Sequence, residues 1–193
     1  MQGQKGLRRV LVCALLLAAL GLSGKALWMQ GKALLAQGLI AHAWEQQLAT
    51  GAPVKPWAWA DTWPVARLTT PAGEHHYVLG GLSGQALAFG PGQLDNGVAP
   101  GQLGTLLLAG HQDSHFAFLE QLQPEDVLQL QSSDGREYRY RVGSARVVDS
   151  RQETIALQYQ QAELRLTTCF PFASLASGGP LRYVVSAWLE GGT

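Results

Sequence analysis

The chain has 193 residues, its 14 Lys and Arg are matched by 14 Asp and Glu, and it holds two cysteines, Cys13 and Cys169. That length suits one domain with its own core plus an appendage. Zero net charge argues against nucleic acid as a partner, because such proteins carry a basic surplus.

Lys5, Arg8 and Arg9 precede Val10 to Leu22, a run without charge or strongly polar groups. Counted through to Met29 it makes about 20 residues, or roughly 30 Å of helix, which matches the hydrocarbon thickness of a bilayer. Lys25 can snorkel to the far interface, where Trp28 suits the aromatic belt. Residues 1–29 are therefore expected to be a cytoplasmic tail and an uncleaved transmembrane anchor, with the remainder on the far side of the membrane. A cleavable signal peptide shares the basic start and apolar middle. Ser23-Gly24-Lys25-Ala26 offers the small residues for it, but the helical pattern runs straight on past them. Cys13 lies within the apolar run, so a disulfide to Cys169 is not expected and Cys169 reads as a free thiol.

Residues 30–60 form a connector. Ala26 to Leu48 is built of strong helix formers, and its large apolar residues fit one stripe only loosely; the expectation is a helix packed on the domain, with a free-standing stalk as the alternative. Gly51 and Pro53 end it. Trp57, Trp59 and Trp63 then crowd an irregular, proline-bounded segment, read first as packing and second as a lipid-surface contact.

From 61 to 193 short apolar stretches alternate with turn residues, the pattern of an all-β barrel or sandwich. The expected strands are Ala66–Thr70, His76–Gly80, Thr105–Ala109, Asp126–Gln131, Glu137–Ser144, Ala145–Asp149, Leu164–Cys169 and Leu181–Trp188. A helical turn is expected at Gln85–Phe89 and a short helix at Phe116–Leu122, capped by Ser114 or Asp113. Asp134-Gly135 signals a hairpin.

The strand ending at Cys169 and the strand opening at Leu181 are joined by a Gly/Pro loop. Antiparallel pairing between them brings Cys169 and Arg182 to one sheet end. A guanidinium beside a thiol favours the thiolate; the plainer reading makes Cys169 a small buried hydrophobe. A cysteine nucleophile needs a proton carrier, and histidine is the usual one. His42, His75 and His76 are explained by surface positions. His111 ends an apolar strand just after Gly110, where a side chain can face a cleft from a rigid base. His111 and His115 with Asp113 also have the spacing of metal ligands, but no further ligand run supports a metal.

Gly110-His111-Gln112-Asp113-Ser114-His115-Phe116, Thr168-Cys169-Phe170-Pro171-Phe172 and Gly179-Pro180-Leu181-Arg182-Tyr183 resemble the three motifs of sortases, membrane-anchored cysteine transpeptidases, and most closely the Gram-negative, proteobacterial class. Trp63-Pro64-Val65-Ala66-Arg67-Leu68, Leu87-Ala88-Phe89-Gly90-Pro91-Gly92 and the leading anchor extend the likeness over essentially the whole chain. Ser114 and Phe170 stand where Thr and Tyr are common, and Arg165 opens the family's Thr-Leu-x-Thr-Cys pattern. The resemblance implies a closed β-barrel of about eight strands with short helices behind a transmembrane helix. It implies a peptidase-like transpeptidase in which Cys169 is the nucleophile, His111 the proton donor to the leaving amine and Arg182 the electrostatic partner. Asp113 and His115 are candidates for orienting the His111 loop, and Thr168 for shaping the site. No cofactor or metal is implied. The expected partners are a protein bearing a C-terminal Leu-Pro-x-Thr-Gly-like sorting signal, an amine acceptor and the inner-membrane bilayer, with the domain in the periplasm. The competing reading is a membrane-anchored β-module without activity, in which Cys169 is structural.

Overall fold

The computed structural model describes residues 2–172 and 178–191; the side chains of residues 1–14, 18 and 26 lie outside that description. Helix α1 runs Gln2–Thr50. It stops where Gly51 takes a left-handed φ of 70° and its amide donates to the Gln47 carbonyl at 2.8 Å, a conformation glycine adopts without steric cost. The expected span over 10–29 falls partly on side chains outside the described set. Among the described residues no helix is long and apolar enough to cross a membrane. The chain forms two compact units, residues 1–38 and 39–193.

In the second unit the last turns of α1 pack on the domain rather than standing free. Ile40, Ala43, Trp44 and Gln47 are buried, and Ile40 joins Leu79 and Ala86 in a small apolar cluster flanked by Trp57, Tyr77 and Phe89. Trp57 meets Phe89 edge-on at 5.0 Å, so packing accounts for that tryptophan, while Trp59 is 80% exposed.

Strands β1 (Pro64–Thr69), β2 (His75–Gly80), β3 (Gly92–Gln93), β4 (Gly104–Ala109), β5 (Val127–Ser132), β6 (Glu137–Asp149), β7 (Ala162–Cys169) and β8 (Leu181–Leu189) close into a barrel ordered β1-β2-β3-β4-β7-β8-β6-β5. Closure leaves no open sheet edge. Alternation sends Leu68, Leu106, Leu108, Leu130, Leu164, Leu166, Val185 and Ala187 into the core, because successive strand residues point to opposite faces.

Two expectations need correction. Glu137–Ser144 and Ala145–Asp149 are one strand, β6; the register shifts between Val142 and Ser144, and Gly143 lies where a Cβ would collide with the Trp188 ring. The Gly143-Ser144 pair thus marks a bulge within one strand. The short helix is a 3-10 segment over Ala117–Gln121 that begins after Phe116 with no side-chain cap, so neither Ser114 nor Asp113 caps it. Strand β7 ends at Cys169, as expected. Strand β3 was not expected at all, two residues being too short to carry a periodic pattern. Helix α2 (Gly84–Phe89) is capped by the Ser83 hydroxyl, which accepts from the Ala86 amide at 3.0 Å. The Asp134-Gly135 hairpin forms as expected, with Gly135 at φ 83°.

Candidate active site

Strands β4, β7 and β8 are neighbours in the barrel, and their ends meet at one rim. The parallel β4–β7 ladder pairs Ala109 with Thr167; carried two residues on, that register sets His111 beside Cys169. The antiparallel β7–β8 ladder pairs Cys169 with Arg182 directly. With about 4.8 Å between neighbouring strands, the three backbones line up across roughly 10 Å in the order His111, Cys169, Arg182. All three residues line one cleft of about 470 Å³.

Backbone and side-chain bonds lock this alignment. The Gly110 amide donates to the Thr167 carbonyl at 3.2 Å, and the Thr168 hydroxyl donates to the Gly110 carbonyl at 2.6 Å. The residue before His111 is thereby clamped to the two residues before Cys169. The His111 carbonyl accepts from the Phe116 amide at 2.9 Å, closing the loop, and the buried Phe116 ring lies against Gly110, where an added Cβ would stand 2.9 Å from it. Gly110 is required there for contact, not for its φ. Arg182 donates through one guanidinium nitrogen to the carbonyls of Gly179 at 2.5 Å and Leu181 at 2.8 Å, which aims the side chain. Just past the strand end Phe170 stacks on Tyr183 and Phe172 meets both edge-on, at centroid distances of 5.2 to 6.2 Å. Cys169 is a free, partly exposed thiol.

Asp113 and His115 lie on the same loop but do not line this cleft, and neither hydrogen-bonds His111. His115 turns toward His76, 6.5 Å between ring centroids. Burial, reinforced by His76 and His111, holds it below the usual histidine pKa against the opposing pull of Asp113. No group of three or more His, Cys, Asp or Glu able to hold a metal occurs among the described residues.

The far wall came from residues the sequence did not single out. Residues 150–161 join β6 to β7 and bring Glu153, Thr154 and Ile155 to the cleft. Both ends of the segment are pinned. Arg146 pairs with Glu153 at 2.5 Å, and the Ser150 hydroxyl donates to the Pro180 carbonyl at 2.8 Å. At the other end Arg165 donates to the Ala156 carbonyl and, through two nitrogens, to Glu163. Glu163, 2% exposed, also accepts from the Thr105 hydroxyl at 2.8 Å and from Gln158 at 3.3 Å. Burial opposes its ionisation, but the hydrogen bonds from Thr105 and Arg165 and the Arg165 charge outweigh it and hold its pKa below the usual carboxylate value. The one sequence signal was Arg165 itself, a charge set between the apolar Leu164 and Leu166.

The family model for the sortase domain matches residues 68–190. Sortase D of Bacillus subtilis (strain 168) is 33% identical over 109 residues, which is 56% of this chain and 54% of that protein; the chain thus spans about half the length of this curated relative. Among solved structures, the catalytic domain of B. anthracis SrtD is 30% identical with a TM-score of 0.54, covering 66% of this chain and 88% of that one. Sortase A from Corynebacterium diphtheriae is similar at 22% identity and TM-score 0.60, covering 70% of this chain and 64% of that chain. The Sortase D5 transpeptidase of Clostridium perfringens is similar at 20% identity and TM-score 0.60, covering 76% and 88%; at such identities the likeness concerns the fold.

Proposed function

Because the chain belongs to the sortase family, we propose that it is a cysteine transpeptidase that cuts a C-terminal sorting signal and passes the acyl part to an amine. The observation that carries this reading is the strand register that aligns His111, Cys169 and Arg182 at one rim. The Cys169 thiolate attacks the scissile carbonyl, and the carbonyl π electrons move onto oxygen. Arg182, fixed on β8, donates to that oxyanion. As the tetrahedral species collapses, the C–N bond breaks and the His111 imidazolium gives its proton to the departing amine. The acyl group remains as a Cys169 thioester. An incoming amine attacks it, the C–S bond breaks to release the Cys169 thiolate, and the proton shed by the new amide passes to the His111 imidazole, restoring the starting pair.

The finer readings rest on the motifs. The likeness of the His111, Cys169 and Arg182 segments points to the Gram-negative class and to a Leu-Pro-x-Thr-Gly-like signal. The basic start and the uncharged run Val10 to Leu22 support an anchor in the inner membrane with the domain in the periplasm. Protease added to spheroplasts then digests the domain while an N-terminal tag survives; a protected domain overturns that orientation. For the chemistry, signal peptide and an amine are incubated with the protein and followed by intact mass. Wild type should give an acyl adduct and transfer product, Cys169→Ala neither, and His111→Ala no transfer with the fold intact. Full turnover by either variant refutes the assignment and leaves the cysteine a structural residue.

A further inference from the structure

Two threonines precede Cys169, and they differ in what their hydroxyls do. Thr168 faces inward and is committed to the Gly110 carbonyl. Thr167 lies on the same face of β7 as Cys169, since residues two apart on a strand share a face, and it lines the same cleft. Thr167 is 9% exposed, yet its hydroxyl oxygen is buried with no hydrogen-bond partner among the described residues. Its backbone carbonyl is occupied by the Gly110 amide. Buried hydroxyls are nearly always paired, because leaving one unpaired forfeits its hydration for nothing. The cleft it lines mixes apolar Leu87, Ala109, Val148 and Ile155 with polar Ser150, Glu153 and Thr154, yet none of these hydrogen-bonds the Thr167 hydroxyl.

We propose that Thr167 is a specificity-determining residue whose hydroxyl hydrogen-bonds a neutral polar side chain of the sorting signal, on the acyl side of the scissile bond; this rests on the transpeptidase reading above. The strand rise puts Thr167 about 7 Å from Cys169, the reach of two extended residues. The acyl part is the one that must stay bound while the amine leaves and the acceptor enters, so it belongs against the wall built by β7 and the pinned 150–161 segment. A signal with an apolar side chain at that place leaves the hydroxyl buried and unpaired, whereas a hydroxyl or amide satisfies it. A site built to pair a polar group selects against the analogue lacking it.

The test uses the full chain and peptides of the Leu-Pro-x-Thr-Gly type. Ser/Ala and Thr/Val pairs are placed in turn at each of the last three positions before the scissile bond. Wild type should favour the hydroxyl peptide about 5- to 10-fold in kcat/KM at one position, the worth of one neutral hydrogen bond. Thr167→Val, an isosteric change suited to a strand, should abolish that preference at that position and leave the others unchanged. Thr167→Ser should restore it. The melting temperature of Thr167→Val should be equal or higher, since an unpaired hydroxyl is being removed; a purely structural threonine gives the opposite. No hydroxyl preference in wild type, or the same preference in Thr167→Val, overturns the proposal while the enzyme still acylates. Absence of any Cys169 adduct in wild type defeats the transpeptidase reading instead.

Discussion

Glu163→Gln separates the charge in the pinned wall from its shape. In the wild type one carboxylate oxygen takes both nitrogens of Arg165 and the other takes the Thr105 hydroxyl and Gln158. A glutamine fills the space, but both Arg165 bonds lose their charge assistance, at about 1 kcal/mol each, and its amide faces the Gln158 amide as donor against donor, at about 1–3 kcal/mol. The sum is about 3–5 kcal/mol, in line with the roughly 3–5 kcal/mol measured for breaking a buried pair. For a domain of this size that lowers the melting temperature by about 6–20 °C. The gap must also depend on pH. Glu163 is held below its usual pKa, so its contribution is complete above the unfolded-state value and is lost as pH falls through the folded one. Calorimetry of both proteins at about pH 7 and about pH 3 should show the difference shrinking in acid. A difference that stays constant with pH refutes the charge argument. Since Arg165 also holds the Ala156 carbonyl, the variant should raise KM for the peptide more than it lowers kcat.

Arg182→Lys should lose about 10²–10³ in transpeptidation with little change in melting temperature, because a planar fork held by the Gly179 and Leu181 carbonyls positions donors that an ammonium does not reproduce; near-normal turnover would make Arg182 a replaceable charge. Gly110→Ala pushes a methyl to 2.9 Å from the Phe116 ring and should cost about 1–3 kcal/mol in thermal or denaturant unfolding. Because Gly110 adjoins His111, activity should fall more than stability does, and Phe116→Leu in the same chain should recover part of both. An unchanged melting temperature for Gly110→Ala rules out the contact.

Sequence by itself determined most of the strand set, through a two-residue alternation that a local window can carry. It also set the juxtaposition of Cys169 and Arg182, which follows from two consecutive strands joined by a short loop. His111 was legible as a strand end after a glycine, but its place beside Cys169 was not a local matter. That depends on β4 and β7 pairing in parallel across 58 residues of chain, a register decided only when the barrel closes and Leu106, Leu108, Leu164 and Leu166 must face inward. For the same reason β6 read as two strands: its continuity comes from β8 running alongside it and Trp188 lying over Gly143. The wall from 150 to 161, the buried Glu163 and the unpaired Thr167 hydroxyl left no periodic trace. Burial of a polar side chain and the identity of its partners are properties of the packed molecule, which tertiary structure alone decides.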